Sequence, residues 1–153
     1  NDFARLKGQG KEMHYQMRGV TIFGRILRKG RDASSLVVEQ LHQAVEQGQL
    51  SEEEKNDVLA ADLFWSGEFQ KKPVLLVGEI SWVVDNEDVE RAVRRAARLR
   101  QIGFNAAPFV GGEEWTSDAT ALAKSLAVLI AEDGRMDLIN WHTILQQNET
   151  SRQ

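Results

Sequence analysis

The sequence predicts an α/β domain with a mixed central sheet flanked by helices, carrying an N-terminal helical extension. Two patterns and the composition predict it. Apolar runs at Asp62–Trp65 and Pro73–Val84 flank a short polar loop, Ser66–Lys72, with Gly67 inside it, and this pattern reads as a β-hairpin. After the hairpin, helical periodicity alternates with short apolar runs, in the order strand, helix, strand, helix, strand. Strands joined by crossover helices pair in parallel, so hairpin plus crossovers make a mixed sheet. A length of 153 residues with 42% hydrophobic and 27% charged residues suits one domain with a substantial core.

Taken in order, residues 2–28 read as mostly helical. Phe3, Leu6, Met13, Met17, Val20, Phe23 and Leu27 fall near a helical spacing, which suits packing on another helix or a second subunit. Gly8, Gly10, Gly19 and Gly24 weaken that pattern. The chain starts at Asn1 rather than Met, so upstream sequence is expected, and residues 1–33 are read as a helical extension continuing an upstream helix or coiled coil. Lys29 to Ser34 reads as a linker into the main domain, residues 34–145.

The next helix carries Leu36, Val37, Leu41, Ala44 and Val45 on its apolar face, and Gly48 sits where a C-terminal cap belongs. Glu39, His42, Gln43 and Glu46 lie opposite. Ser51 through Glu54 fit a capping box that opens a short helix to about Ala60. In the strand Pro73–Val84, Leu75, Val77, Glu79 and Ser81 share one face, and Leu76, Gly78, Ile80 and Trp82 the other. Both faces are largely apolar, which predicts a central strand covered on both sides and a partly buried Glu79. Gly78 marks either a close backbone approach or a bulge.

Asp85 or Asn86 caps a helix with acids in its first turns and Arg91, Arg94, Arg95, Arg98 and Arg100 behind them, an order that complements the helix dipole. Val89, Ala92, Val93, Ala96 and Leu99 form its buried stripe. Gly103 ends it. A strand at Asn105–Val110 follows, with Gly111-Gly112 after it. A helix opens at Thr116 or Ser117 and runs to about Ser125. Leu126–Ala131 is a strand, Asp133-Gly134 a turn, and Met136–Leu145 a closing helix with Trp141 and His142. Residues 146–153 read as a disordered tail.

A hairpin turn near Phe69 and Gln70 places Asp62 roughly opposite Glu79. Two carboxylates side by side repel, and a divalent cation with oxygen ligands is one way to compensate. The alternative is that Asp62 caps or faces water while Glu79 pairs with an arginine. The arginines of the following helix form ion pairs or present a phosphate-binding face.

An acid entering one strand, an acid two residues before a polar residue on the next, and then a helix resembles the PD-(D/E)XK nuclease superfamily. The matching residues are Asp62 and Glu79-Ile80-Ser81, and the likeness runs from about Leu36 to Ile130. The run from Val74 to Thr116 is similar to uncharacterised, largely bacterial members with an upstream coiled-coil region. The resemblance implies a restriction-endonuclease-like core and an Mg²⁺ or Mn²⁺ site on Asp62 and Glu79, joined by Glu39 or Glu46 from the first core helix. The family's lysine belongs at position 81, where this chain has Ser81. The resemblance then assigns Ser81 to water or substrate, and Arg91 or Arg95 to charge developing on phosphorus. Arginine stays protonated, so neither is a general base.

Other chemistries find no support. There is no cysteine, hence no disulfide or thiolate zinc site, and a cytoplasmic, reducing setting is expected. P-loop, GxGxxG, HExxH and GxSxG patterns are lacking, and three scattered histidines make no zinc site. No apolar run is long enough to span a membrane. The net charge of −4 argues against bulk coating of nucleic acid, yet Arg5, Lys7, Lys11, Arg18, Arg25, Arg28, Lys29 and Arg31 crowd the first 31 residues against only Asp2 and Glu12. Expected partners are therefore nucleic acid and a second copy joined through the N-terminal helix, with no membrane. Two functions remain, a metal-dependent phosphodiesterase and a degenerate nuclease fold used for oligomerisation or docking. Geometry divides them. The enzyme needs both carboxylates within reach of one cation in an open pocket, whereas an arginine locking Glu79 in a closed core favours the scaffold.

Overall fold

The computed structural model describes residues 22–151. One six-stranded sheet runs through it, made of β1 (Arg28–Asp32), β2 (Leu63–Phe69), β3 (Lys72–Val84), β4 (Ala106–Trp115), β5 (Leu129–Glu132) and β6 (Arg135–Met136), adjacent in sequence order. β3–β4 and β4–β5 pair in parallel, and the remaining pairs are antiparallel. The helices are α1 (Ser34–Glu46), α2 (Glu52–Leu59), α3 (Asn86–Gln101), α4 (Ser117–Ser125) and α5 (Leu138–Ser151). The mixed α/β class is therefore as the sequence predicts.

Alternation along β3 decides which layer each side chain joins. Leu75 and Val77 meet Val37 and Leu41 of α1, Val58 of α2, and Ala96 and Leu99 of α3 in one core. Leu76 and Ile80 face the other way, into a core with Trp65, Phe109, Leu129 and Trp141 of α5. Further along the sheet, Val84 and Val110 pack with Val89 and Ala92 of α3 and Ala119 and Ala123 of α4. β3 is thus central and buried on both faces. Gly78 marks a close approach rather than a bulge, since a Cβ there would lie 2.8 Å from the Phe109 ring.

Local signals hold at most helix ends. Ser51 and Glu54 form a reciprocal capping box on α2, and Asp85 and Asp88 form another on α3. Thr116 caps α4 by accepting the Ala119 N–H at 3.1 Å. Gly48 and Gly103 take left-handed φ of 75° and 104° just past α1 and α3.

Several boundaries differ from expectation. Lys29–Ser34 is no linker: β1 occupies Arg28–Asp32 and α1 begins at Ser34. Of the helix expected over 2–28, residues 1–21 lie outside the described residues, and only residues 22–23 are helical before a turn. Gly111 and Gly112 lie inside β4, where a Cβ on Gly112 would stand 2.5 Å from the Ser81 carbonyl. The strand expected from Leu126 starts at Leu129, because Leu126 caps α4 and Ala127 turns at φ 55°. In place of a disordered tail from residue 146, α5 continues to Ser151, with Asn148 donating to Asn105 at 3.0 Å.

Candidate functional site

The hairpin turn is Gln70–Lys71, both at positive φ, one residue beyond the expected centre. Leu63 pairs with Gly78, so Asp62 enters β2 beside Glu79. The backbone of β3 holds it there. The Asp62 N–H donates to the Gly78 carbonyl at 3.0 Å, and the Ile80 N–H donates to Asp62 Oδ2 at 2.8 Å. Burial pushes the Asp62 carboxyl above its ordinary range, against the pull of the Ile80 N–H and of Arg95 and Arg91.

Glu79 lies deeper, 4% exposed on the face that α3 covers. Its Oε1 takes Arg95 Nη1 at 2.7 Å and stands 3.5 Å from Arg91 Nε. Its Oε2 is buried without a hydrogen-bond partner. Burial raises Glu79 to about 7, opposed by Arg95 and reinforced by the nearby charge of Asp62. Desolvation therefore outweighs the ion pair. Arg91 and Arg95 reach Glu79 because i and i+4 share the face of α3 laid against β3.

Arg95 is itself only 6% exposed, and its Nε lies 3.4 Å from Asp57 Oδ1. Asp57, on α2, also takes a bidentate pair from Arg94 at 2.9 and 2.8 Å and a contact from Arg98 at 3.4 Å. The Arg94 guanidinium holds the Asp57 carboxyl down to about 2, helped by Arg95 and Arg98. Arg98 pairs with Glu54 at 2.5 Å, Arg91 pairs with Asp88 at 2.6 Å, and Arg100 donates to the Ala106 carbonyl at 2.8 Å. All five arginines of α3 singled out by the sequence are engaged inside the molecule. Asp57, Glu54 and Asp88 were not in the expected site. Acids at i and i+3 on α2, facing a helix with arginines at the matching spacing, are the signal that points to the first two.

The remaining expected residues do not join the acid pair. Glu39 and Glu46 are exposed on α1 and line a surface cavity of about 470 Å³ with His42 and Val38. Ser81 Oγ donates to the Val83 carbonyl at 3.0 Å, within its own strand. Among the described residues no group of three or more His, Cys, Asp or Glu side chains is placed to hold a metal ion. A hard cation takes about six oxygen ligands and is repelled by neighbouring guanidinium groups. With one Glu79 oxygen held by Arg95, the donor set does not fit Mg²⁺ or Mn²⁺.

No described helix is long and apolar enough to cross a membrane. Set against known proteins, the chain matches no family model, no curated protein and no solved structure.

Proposed function

We propose that this chain is a nuclease-like α/β domain, with a restriction-endonuclease-like core, whose acid pair has been absorbed into the fold, and that it serves docking or oligomerisation rather than hydrolysis. One observation carries the reading. Glu79 and Arg95, 4% and 6% exposed, bond each other at 2.7 Å, so the acid that would hold a metal is occupied by a cation from its own chain. Arg95 is tied in turn to Asp57, which joins α2 to α3. A buried pair embedded in such a network is costly to open, because Arg95 cannot lose its proton and would be left as an uncompensated buried charge. Of the extension expected to oligomerise, residues 1–33, the first 21 lie outside the described residues.

Calorimetric titration of Mn²⁺ into the domain, with Asp62→Ala and Glu79→Ala as controls, tests this. The expected result is no saturable heat from the wild type. Saturable binding lost in both variants, each still folded by circular dichroism, would sink the reading. That outcome would support the second one, an Mg²⁺- or Mn²⁺-dependent phosphodiesterase acting on DNA or RNA. The observation favouring the second reading is the unpartnered Glu79 Oε2, a buried acceptor beside Asp62 that the arginines leave open.

A further inference from the structure

Arg91, Arg94, Arg95 and Arg98 of α3 pair with acids of their own chain, but four cations near the β1 edge of the sheet do not. Arg25, Arg28, Arg31 and Lys71 are exposed and make no ion pair among the described residues. Arg28 and Arg31 belong to the edge strand β1, and Lys71 to the β2–β3 turn, so the fold gathers them at one corner. A cavity of about 1100 Å³ lies there, lined by Arg25, Ile26, Arg28, Lys29, Glu68 and Lys71 among others. A second, of about 420 Å³, shares Lys29 and Glu68 with it and continues past Arg31 to an apolar wall of Leu36, Pro73 and Phe104. Leu36 is 45% exposed, so this wall presents apolar surface to solvent.

We propose that these joined cavities are a docking groove for an extended acidic polypeptide segment that ends in an apolar side chain. The proposal rests on the docking reading above and supplies its surface and partner class. The acids would lie along Arg25, Arg28, Arg31 and Lys71, and the apolar side chain would enter between Leu36 and Phe104. Two features favour a peptide over nucleic acid. The groove passes from charged to apolar along its length, whereas duplex DNA presents phosphate charge along its whole outer surface. The chain as a whole carries −4, so a long polyanion is repelled beyond the patch, whereas a short segment feels only charges within a Debye length of about 8 Å.

The test is fluorescence anisotropy with a labelled short peptide of Glu and Asp ending in Leu-Phe, a matched peptide ending in Ser-Ser, and DNA of equal charge. The expected result is that the Leu-Phe peptide binds tightest, and that Arg28→Glu/Arg31→Glu weakens it by about tenfold while Lys124→Glu, exposed on α4, leaves it unchanged. Circular dichroism checks the fold of each variant. Failure of both peptides to bind overturns the proposal, and so does tighter binding of DNA or equal weakening by Lys124→Glu. The Mn²⁺ titration is independent of these readouts, so failure of the scaffold reading, seen as metal binding, and failure of the groove, seen as absent peptide binding, are told apart.

Discussion

Glu79 is a carboxyl sealed under a helix with one oxygen bonded and the other bare. It keeps its proton to about 7, against 4.5 for an unburied glutamate. The folded state thus binds more protons than the unfolded across that window. Stability is full below about 4.5 and falls as pH rises through about 7, by up to roughly 3 kcal/mol. Asp57 works in the opposite sense. Its carboxyl is lowered from 3.8 to about 2, so its contribution is present above 3.8 and is lost as pH falls toward about 2. Urea unfolding between pH 3 and 8 is expected to give a dome. Glu79→Gln, which mimics the protonated form, should flatten the alkaline limb, and Asp57→Asn the acidic one. An unchanged alkaline limb in Glu79→Gln would mean that Glu79 is ionised throughout. Arg95→Ala strips both acids of a partner and is expected to cost on the order of 3 kcal/mol at neutral pH, more than Glu79→Gln.

For single elements, what is legible depends on whether local chemistry or tertiary pairing makes the element. The two capping boxes are written in adjacent residues, Ser51 with Glu54 and Asp85 with Asp88, and both form. Ser51→Ala and Asp85→Ala should each lower stability by about 1 kcal/mol in urea. β1 is the opposite case. Its sequence, RKGRD, buries no side chain on either face, so no period of two exists to be seen. It is a strand because β2 offers backbone partners and because Gly30 lets the Trp65 indole come to 2.7 Å from where a Cβ would stand. The glycine pair in β4 misleads for a related reason. Gly112 reads as a loop signal, yet it lets β4 pass against Ser81 and Val84 in the middle of the sheet. Gly112→Ala would bring a methyl within 2.5 Å of both and is expected to cost about 1–3 kcal/mol. A variant as stable as wild type would mean that β3 and β4 can part there freely.

At the scale of the fold, one sheet face packs, among the described residues, against α5 together with Phe23 and Leu27. Trp141 is fully buried, its ring 5.7 Å from Phe109 and 6.2 Å from Phe23, and its Nε1–H donates to the Ile130 carbonyl at 2.9 Å. Trp141→Ala should cost about 3–5 kcal/mol and raise protease sensitivity after Glu132, as α5 loses its anchor. Loss of stability without new cleavage would show that α5 stays docked through Ile144 and Leu145. The charges divide in the same global way. Acids of α2 pair with arginines of α3 at their contact, while unpaired cations are left on the β1 corner, although the sequence presents both as similar basic runs.

The sequence by itself determined the class, the hairpin, the central place of β3, the helix caps and the meeting of Asp62 with Glu79. These follow from periodicity and turn chemistry acting over a few residues, and a two-residue side-chain period leaves little choice of face. Only the tertiary structure decided that Glu79 is closed off by Arg95 and that Glu39 and Glu46 stay apart from it. It also decided that Asp57 gathers the arginines and that RKGRD is a strand. A buried charge takes the partner that packing brings to it, and packing is set by elements far apart in the chain.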